Sequence, residues 1–223
     1  MKPPRALLFD FDGVMADTEN IHVAAWQRTL ADLGWEVPDD VCARAAEQDD
    51  RDFLAAIFAE KKIEGGDVAG WVRRKQELTI AILHDSPRLY PGVAELVRAL
   101  RGRLRLAVVS STWRANVEAV LQGSGMADAF ELIVGKEDVK VGKPDPECYR
   151  LALKRLKVAP GAALALEDSP NGLAAARGAG LRVLGVGHRR PRGDWVGSAE
   201  FVADLTRSAP LLEILGLADP SGG

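Results

Sequence analysis

The sequence predicts an α/β chain: an open, mostly parallel sheet with helices on both faces, interrupted by an inserted all-helical subdomain. Three observations carry this expectation. Apolar runs of strand length alternate with helical patterns from residue 91 onward, the stretch between residues 18 and 84 shows helical patterns only, and acidic or hydroxyl residues follow the strands directly. Alternating strands and helices build parallel crossovers, and such sheets bind ligands beyond the carboxyl ends of their strands.

The first apolar run, Ala6-Leu7-Leu8-Phe9, closes on Asp10-Phe11-Asp12-Gly13 and reads as a buried strand ending in a turn. Side chains at i and i+2 share a face of an extended segment, so the Asp10 and Asp12 carboxylates project together. At ~4 Å and an effective dielectric near 20, two such charges repel by roughly 4 kcal/mol. A hard divalent cation would offset that repulsion. Taken alone, the pentapeptide fits a solvated Asp-rich turn equally well.

A helix follows, with Asp17 or Thr18 as N-cap, Ile21, Val23, Ala24, Trp26, Leu30 and Leu33 at helical spacing, and Gly34 as a stop signal. Two further helical patterns carry Phe53, Leu54, Ile57 and Phe58, then Val72, Leu78, Ile82 and Leu83. A block of ~65 helical residues is far longer than a crossover needs, which predicts a separate subdomain over residues 17–84 and a core of residues 1–16 and 85–223. Its two junctions, near Met15-Ala16 and His84-Asp85-Ser86, are candidate hinges. A proline at Ala16 is expected to depress turnover more than stability.

Beyond the insert, Pro91-Gly92 opens a helix through Val93, Leu96, Val97 and Leu100. Residues 104–109 form a strand ending in Ser110-Ser111-Thr112, a helix surrounds Val117 to Leu121, and residues 132–134 form a short strand. Asp145 as N-cap and Pro146 at the first helical position start a helix through Leu156. Residues 163–166 make a strand closing on Glu167-Asp168-Ser169, a helix runs from Pro170 to Ala179, and residues 183–186 make the last expected strand. The residues just past the strands are then Asp10, Asp12, Ser110, Ser111, Glu167 and Asp168, with Lys143 just before a helix. Each has an ordinary explanation as a cap or a solvated charge. Together they place carboxylates, hydroxyls and an ammonium on one edge.

Composition narrows the partners. The 223 residues are 47% hydrophobic and 27% charged with a net charge of -3, which excludes a general attraction for nucleic acid or anionic membrane. Arginine-rich patches at residues 101–105 and 188–192 are local, and no stretch approaches ~20 apolar residues. Cys42 and Cys148 lack metal-type spacing, and no secretory signal precedes the first strand, so a cytoplasmic location is expected. The closing Pro220-Ser221-Gly222-Gly223 reads as a loose end.

The chain resembles the haloacid dehalogenase superfamily of aspartate-nucleophile phosphotransferases. Four motifs carry the resemblance in order: Asp10-Phe11-Asp12-Gly13-Val14 with Asp17-Thr18-Glu19; Val109-Ser110-Ser111; Gly142-Lys143-Pro144-Asp145-Pro146; and Leu166-Glu167-Asp168-Ser169-Pro170-Asn171-Gly172. The resemblance implies a Rossmann-like core and makes the insert similar to the helical cap of the phosphoglycolate phosphatase and beta-phosphoglucomutase group. It implies that Asp10 attacks phosphorus and that Asp12 serves as general acid and then base. Ser110 and the Ser111 backbone N–H would bind the phosphoryl group, and Lys143 would neutralise its charge. Mg²⁺ would be held by the Asp10 carboxylate, the Asp12 backbone carbonyl, Glu167 and Asp168. Phosphoryl transfer asks chiefly for positioning and charge stabilisation, which residues of these types supply. Asp12 speaks against carbon–halogen cleavage, which needs no such proton donor.

The match thins in the cap. Mutase-type members carry a glycine and an arginine between the first two cap helices, where this chain has Glu47-Gln48-Asp49-Asp50-Arg51. Arg51 is then a displaced substrate contact, and the acidic loop is a poor clamp for a second phosphate. Asp49 or Asp50 also fits a plain helix cap. His22 and Lys75 are further substrate-binding candidates, each equally readable as a surface group, while Trp26 and Trp71 read as core. The expectation is a Mg²⁺-dependent phosphatase acting, as a monomer, on a small phosphorylated metabolite such as a sugar phosphate. A phosphomutase using the same phosphoaspartate is the alternative.

Overall fold

The computed structural model describes residues 3–46, 49–188 and 200–217. Glu47, Gln48, the arginines of the 188–192 patch and the closing 220–223 segment lie outside the described residues. Six parallel strands form one sheet in the order β3-β2-β1-β4-β5-β6: β1 (Ala6–Phe9), β2 (Arg105–Val109), β3 (Leu132–Val134), β4 (Ala163–Glu167), β5 (Arg182–Val186) and β6 (Glu200–Val202). The first strand is therefore central, flanked by β2 and β4. That is why all its side chains are buried and why it reads as a continuous apolar run.

Alternate residues of the strands face two apolar layers. Leu7, Phe9, Leu106, Val108, Leu164 and Leu166 pack with the helices on one face, while Ala6, Leu8, Ala107, Val109, Ala163 and Ala165 pack on the other. A third cluster is separate. Trp26, Leu30, Phe53, Leu54, Ile57 and Phe58 are enclosed by α1 (Glu19–Asp32), α2 (Asp39–Ala43), α3 (Asp50–Glu60) and the first half of α4 (Val68–Asp85). As expected, residues 18–84 contain no strand among those described.

The boundaries differ from expectation where local signals were weak. Helix α4 continues through Asp85, so the second junction is residues 86–89 rather than 84–86. The two connections pair: Ala16 bridges Leu89, the Asp17 N–H donates to the Arg88 carbonyl at 2.9 Å and the Tyr90 N–H to the Met15 carbonyl at 2.9 Å. Past α5 (Val93–Leu100) and α6 (Arg114–Gly123), α7 (Glu147–Leu156) starts one residue later than expected. Asp145 still caps it, accepting from the Glu147 N–H at 2.8 Å. Helix α8 (Pro170–Gly178) follows β4. The sequence reading missed α2, β6 and α9 (Ser208–Ile214); two of these are only five and three residues long, too short to display a period.

Candidate active site

Sheet register assembles the site. Phe9 pairs with Val108 on one side and Leu166 on the other, which brings Asp10 level with Val109 and Glu167. The sheet also holds the first residues past its strands: Asp10 N–H donates to the Leu166 carbonyl and Ser110 N–H to the Val134 carbonyl, both at 2.9 Å. The expected edge cluster forms at the C-terminal ends of β1, β2 and β4.

Lys143 reaches this edge from the loop before α7. Its Nζ lies 2.6 Å from Asp10 Oδ1, 2.7 Å from Glu167 Oε1 and 3.0 Å from the Val109 carbonyl. An ammonium has three donors, so all are engaged. Burial works against its charge, but Asp10 and Glu167 outweigh burial and hold the Lys143 pKa above the ordinary lysine value. Glu167 is fully buried. Desolvation, and then the Asp10 charge, raise its carboxyl pKa against the pull of Lys143 and Tyr149. Burial thus leads the Glu167 shift, whereas the two carboxylates set that of Lys143.

Asp10, Glu167 and Asp168 each offer an oxygen within 4.8 Å of the others. Three carboxylates gathered beside one ammonium supply the hard oxygen donors that a divalent cation takes. Glu167 Oε2 is buried and lacks a hydrogen-bond partner among the described residues, as an oxygen reserved for a ligand would be. The donor set and this orphaned atom fit a metal.

Asp12 lies beyond the strand, in a turn bridged to Ala16. Thr18 occupies the N-cap of α1, as expected, yet makes no cap bond; its hydroxyl donates to Asp12 Oδ1 instead. The expected helix cap is thus an orienting group for Asp12. Ser110 is buried, with its Oγ accepting from the Thr112 N–H at 3.0 Å. Ser111 is exposed at the mouth of the site.

A cavity of about 800 Å³ opens between this edge and the helical insert, bordered by Asp12, Thr18 and Ser111 below and by His22, Asp50, Arg51 and Lys75 above. A smaller one of about 270 Å³ adjoins it, sharing Ser111 and Lys136 and reaching Ser110 and Lys143. His22, Lys75 and Arg51 are therefore all brought to the cavity. Lys75 is not a free cation, however: it is 3% exposed and pairs with Asp50 at 2.9 Å. Trp26, expected in the core, is core and more: it is fully buried against Phe53, and its Nε1–H donates to Asp50 at 3.2 Å. Asp49 is the cap of α3, accepting from the Arg51 N–H at 2.9 Å.

Sequence reasoning passed over Tyr149 and Gly172. The Tyr149 hydroxyl donates to Glu167 Oε1 at 2.5 Å, and its ring centroid lies 5.3 Å from Lys143 Nζ. A tyrosine at an apolar helix position is the available signal, since a buried hydroxyl needs a partner. A Cβ at Gly172 would fall on the Glu167 carboxylate, so the fourth motif requires glycine there.

A family model described as haloacid dehalogenase-like hydrolase matches residues 4–180. Protein CbbY of Cereibacter sphaeroides is 37% identical over 195 residues, covering 80% of this chain and 82% of that protein. The phosphorylated carbohydrates phosphatase of Thermotoga maritima is 31% identical over 212 residues, covering 94% and 97%. Among solved structures, CbbY of Rhodobacter sphaeroides as a D10N mutant in complex with xylulose-(1,5)-bisphosphate superposes with a TM-score of 0.75 at 32% identity, covering 92% of this chain and 96% of that one.

Proposed function

Because the chain belongs to the haloacid dehalogenase-like hydrolases, we propose that it is a Mg²⁺-dependent phosphatase hydrolysing a small phosphomonoester, a sugar phosphate or related metabolite, through an aspartyl phosphate. The observation that carries this reading is the Lys143 ammonium bridging Asp10 and Glu167 beside the three-carboxylate cluster. Such a site joins a carboxylate nucleophile to the positive charge that a transferring phosphoryl group needs. Mg²⁺, held by Asp10, the Asp12 carbonyl, Glu167 and Asp168, would offset the charge of the phosphoryl oxygens.

The chain's own residues do the rest. The free Asp10 oxygen attacks phosphorus, forming an O–P bond as the ester O–P bond breaks. Asp12, oriented by the Thr18 hydroxyl, gives a proton to the departing oxygen. It then takes a proton from water as that water attacks phosphorus, breaking the acyl phosphate and freeing Asp10. Ser110, the Ser111 N–H and Lys143 hold the phosphoryl oxygens. Residues 17–84 act as a cap that closes over the ester, pivoting at the paired connections. Two buried free cysteines support a reducing, cytoplasmic setting. Among the described residues, no helix is long and apolar enough to cross a membrane. The acting unit in this reading is a monomer.

The test is phosphate release from a panel of small phosphomonoesters, with and without Mg²⁺, by the native chain and Asp10→Asn. Release should require Mg²⁺ and fall by on the order of 10³-fold or more in the variant. No release from any ester by a folded native chain overturns the phosphatase and turns the assay to bisphosphate-primed isomerisation, the mutase alternative.

A further inference from the structure

The cavity has two ends of different character. At the catalytic end the carboxylates and Lys143 await a phosphoryl group. At the far end stands an ion pair that the proposed chemistry does not use, its lysine buried and its aspartate half-buried. Lys75 Nζ lies 3.0 and 2.9 Å from the two Asp50 oxygens and 3.2 Å from His22 Nδ1, and 5.4 Å from the Trp26 ring centroid. Asp50 accepts from Trp26 as well. Desolvation, and then the Lys75 charge, lower the His22 pKa to about 4, so the imidazole is neutral near pH 7 and accepts from the ammonium. The insert brings Lys75 and Arg51 to the cavity together with Asp49 and Asp50, and Lys136 borders it as well, 3.9 Å from Asp49.

We infer that Asp50 is a specificity-determining residue: by holding the Lys75 ammonium in an ion pair, it reserves the far end of the cavity for neutral hydroxyls and against a second phosphate. The substrate class is then a sugar monophosphate whose distal end is an uncharged polyol. This inference rests on the phosphatase reading and narrows it. A second phosphate brings about 1.5 to 2 negative charges. Here Lys75, the buried cation of that wall, is already paired, and binding the phosphate through it would mean breaking the pair and leaving a half-buried Asp50 beside an anion, an unfavourable change. The pair suits hydroxyls: one can donate to Asp50 without displacing Lys75, whose three donors the Asp50 oxygens and His22 already take. The CbbY complex holds a bisphosphate; in this chain the far wall carries the Lys75–Asp50 pair.

The experiment is calorimetric titration, in Mg²⁺, of the turnover-blocked Asp10→Asn chain with fructose 1-phosphate and fructose 1,6-bisphosphate, repeated with Asp10→Asn/Asp50→Asn. The first chain should bind the monophosphate more tightly. Removing the Asp50 charge should shift the preference toward the bisphosphate by about tenfold or more, the scale of one lost charge interaction. Tighter bisphosphate binding by Asp10→Asn, binding of neither ester, or an unshifted preference in the folded double variant each overturns the inference. If the double variant does not fold, the preference of Asp10→Asn decides alone. Failure of the phosphatase reading registers elsewhere, as binding without phosphate release by the native chain.

Discussion

Burial gives single residues here their chemical character. His22 is held neutral because desolvation and Lys75 both oppose its charge, lowering its pKa to about 4. In the unfolded chain its pKa is about 6.5, so below that value the unfolded state binds the extra proton. Stability should therefore fall as pH drops from about 6.5 toward 4 and level off below. His22→Gln should flatten that slope in urea titrations run across this window; an unchanged slope would assign it to other groups. Thr18 and Asp50 make a related point. Each stands at the start of a helix, and a helix cap is the ordinary use of its type. Thr18 instead orients Asp12, and Asp50 instead neutralises Lys75. Asp49 takes the cap of α3, which leaves Asp50 free to turn inward.

At the scale of elements, the connections between core and insert form a paired ribbon rather than two loose hinges. Ala16 is fully buried and its N–H donates to the Phe11 carbonyl at 3.1 Å. A proline there removes that donor, and the Phe11 carbonyl keeps the Met15 N–H alone. Ala16→Pro should thus lose about 1 kcal/mol of stability for the hydrogen bond, read by chemical denaturation, together with its turnover. Beyond the ribbon, α4 packs against α6. Gly123 permits a close approach there, because a Cβ would strike the His84 carbonyl.

For the whole molecule, the candidate metal cluster would link folding to ligand. The cluster exists only when β1 and β4 are paired, so a cation that binds it stabilises the folded chain alone. Mg²⁺ at 100 times its Kd should add about 2.7 kcal/mol, several degrees in Tm, and Asp168→Asn should abolish the increment. An equal shift in native chain and variant would mean that the ion binds elsewhere. The strand and helix alternation, the central first strand's continuous apolar run, the helical insert and the edge set Asp10, Ser110, Lys143, Glu167 and Asp168 were legible in sequence. Each depends on local period or on residues standing next to a strand end, and a parallel sheet carries that local order to one edge. What only the tertiary structure decided is who pairs with whom: Tyr149 on Glu167, Thr18 on Asp12, and Asp50 on Lys75. Those partners lie 18, 6 and 25 residues apart, and no sequence period links a side chain to a neighbour supplied by another element. Sheet register and helix packing bring them together, and burial then makes each polar group find its partners within the protein.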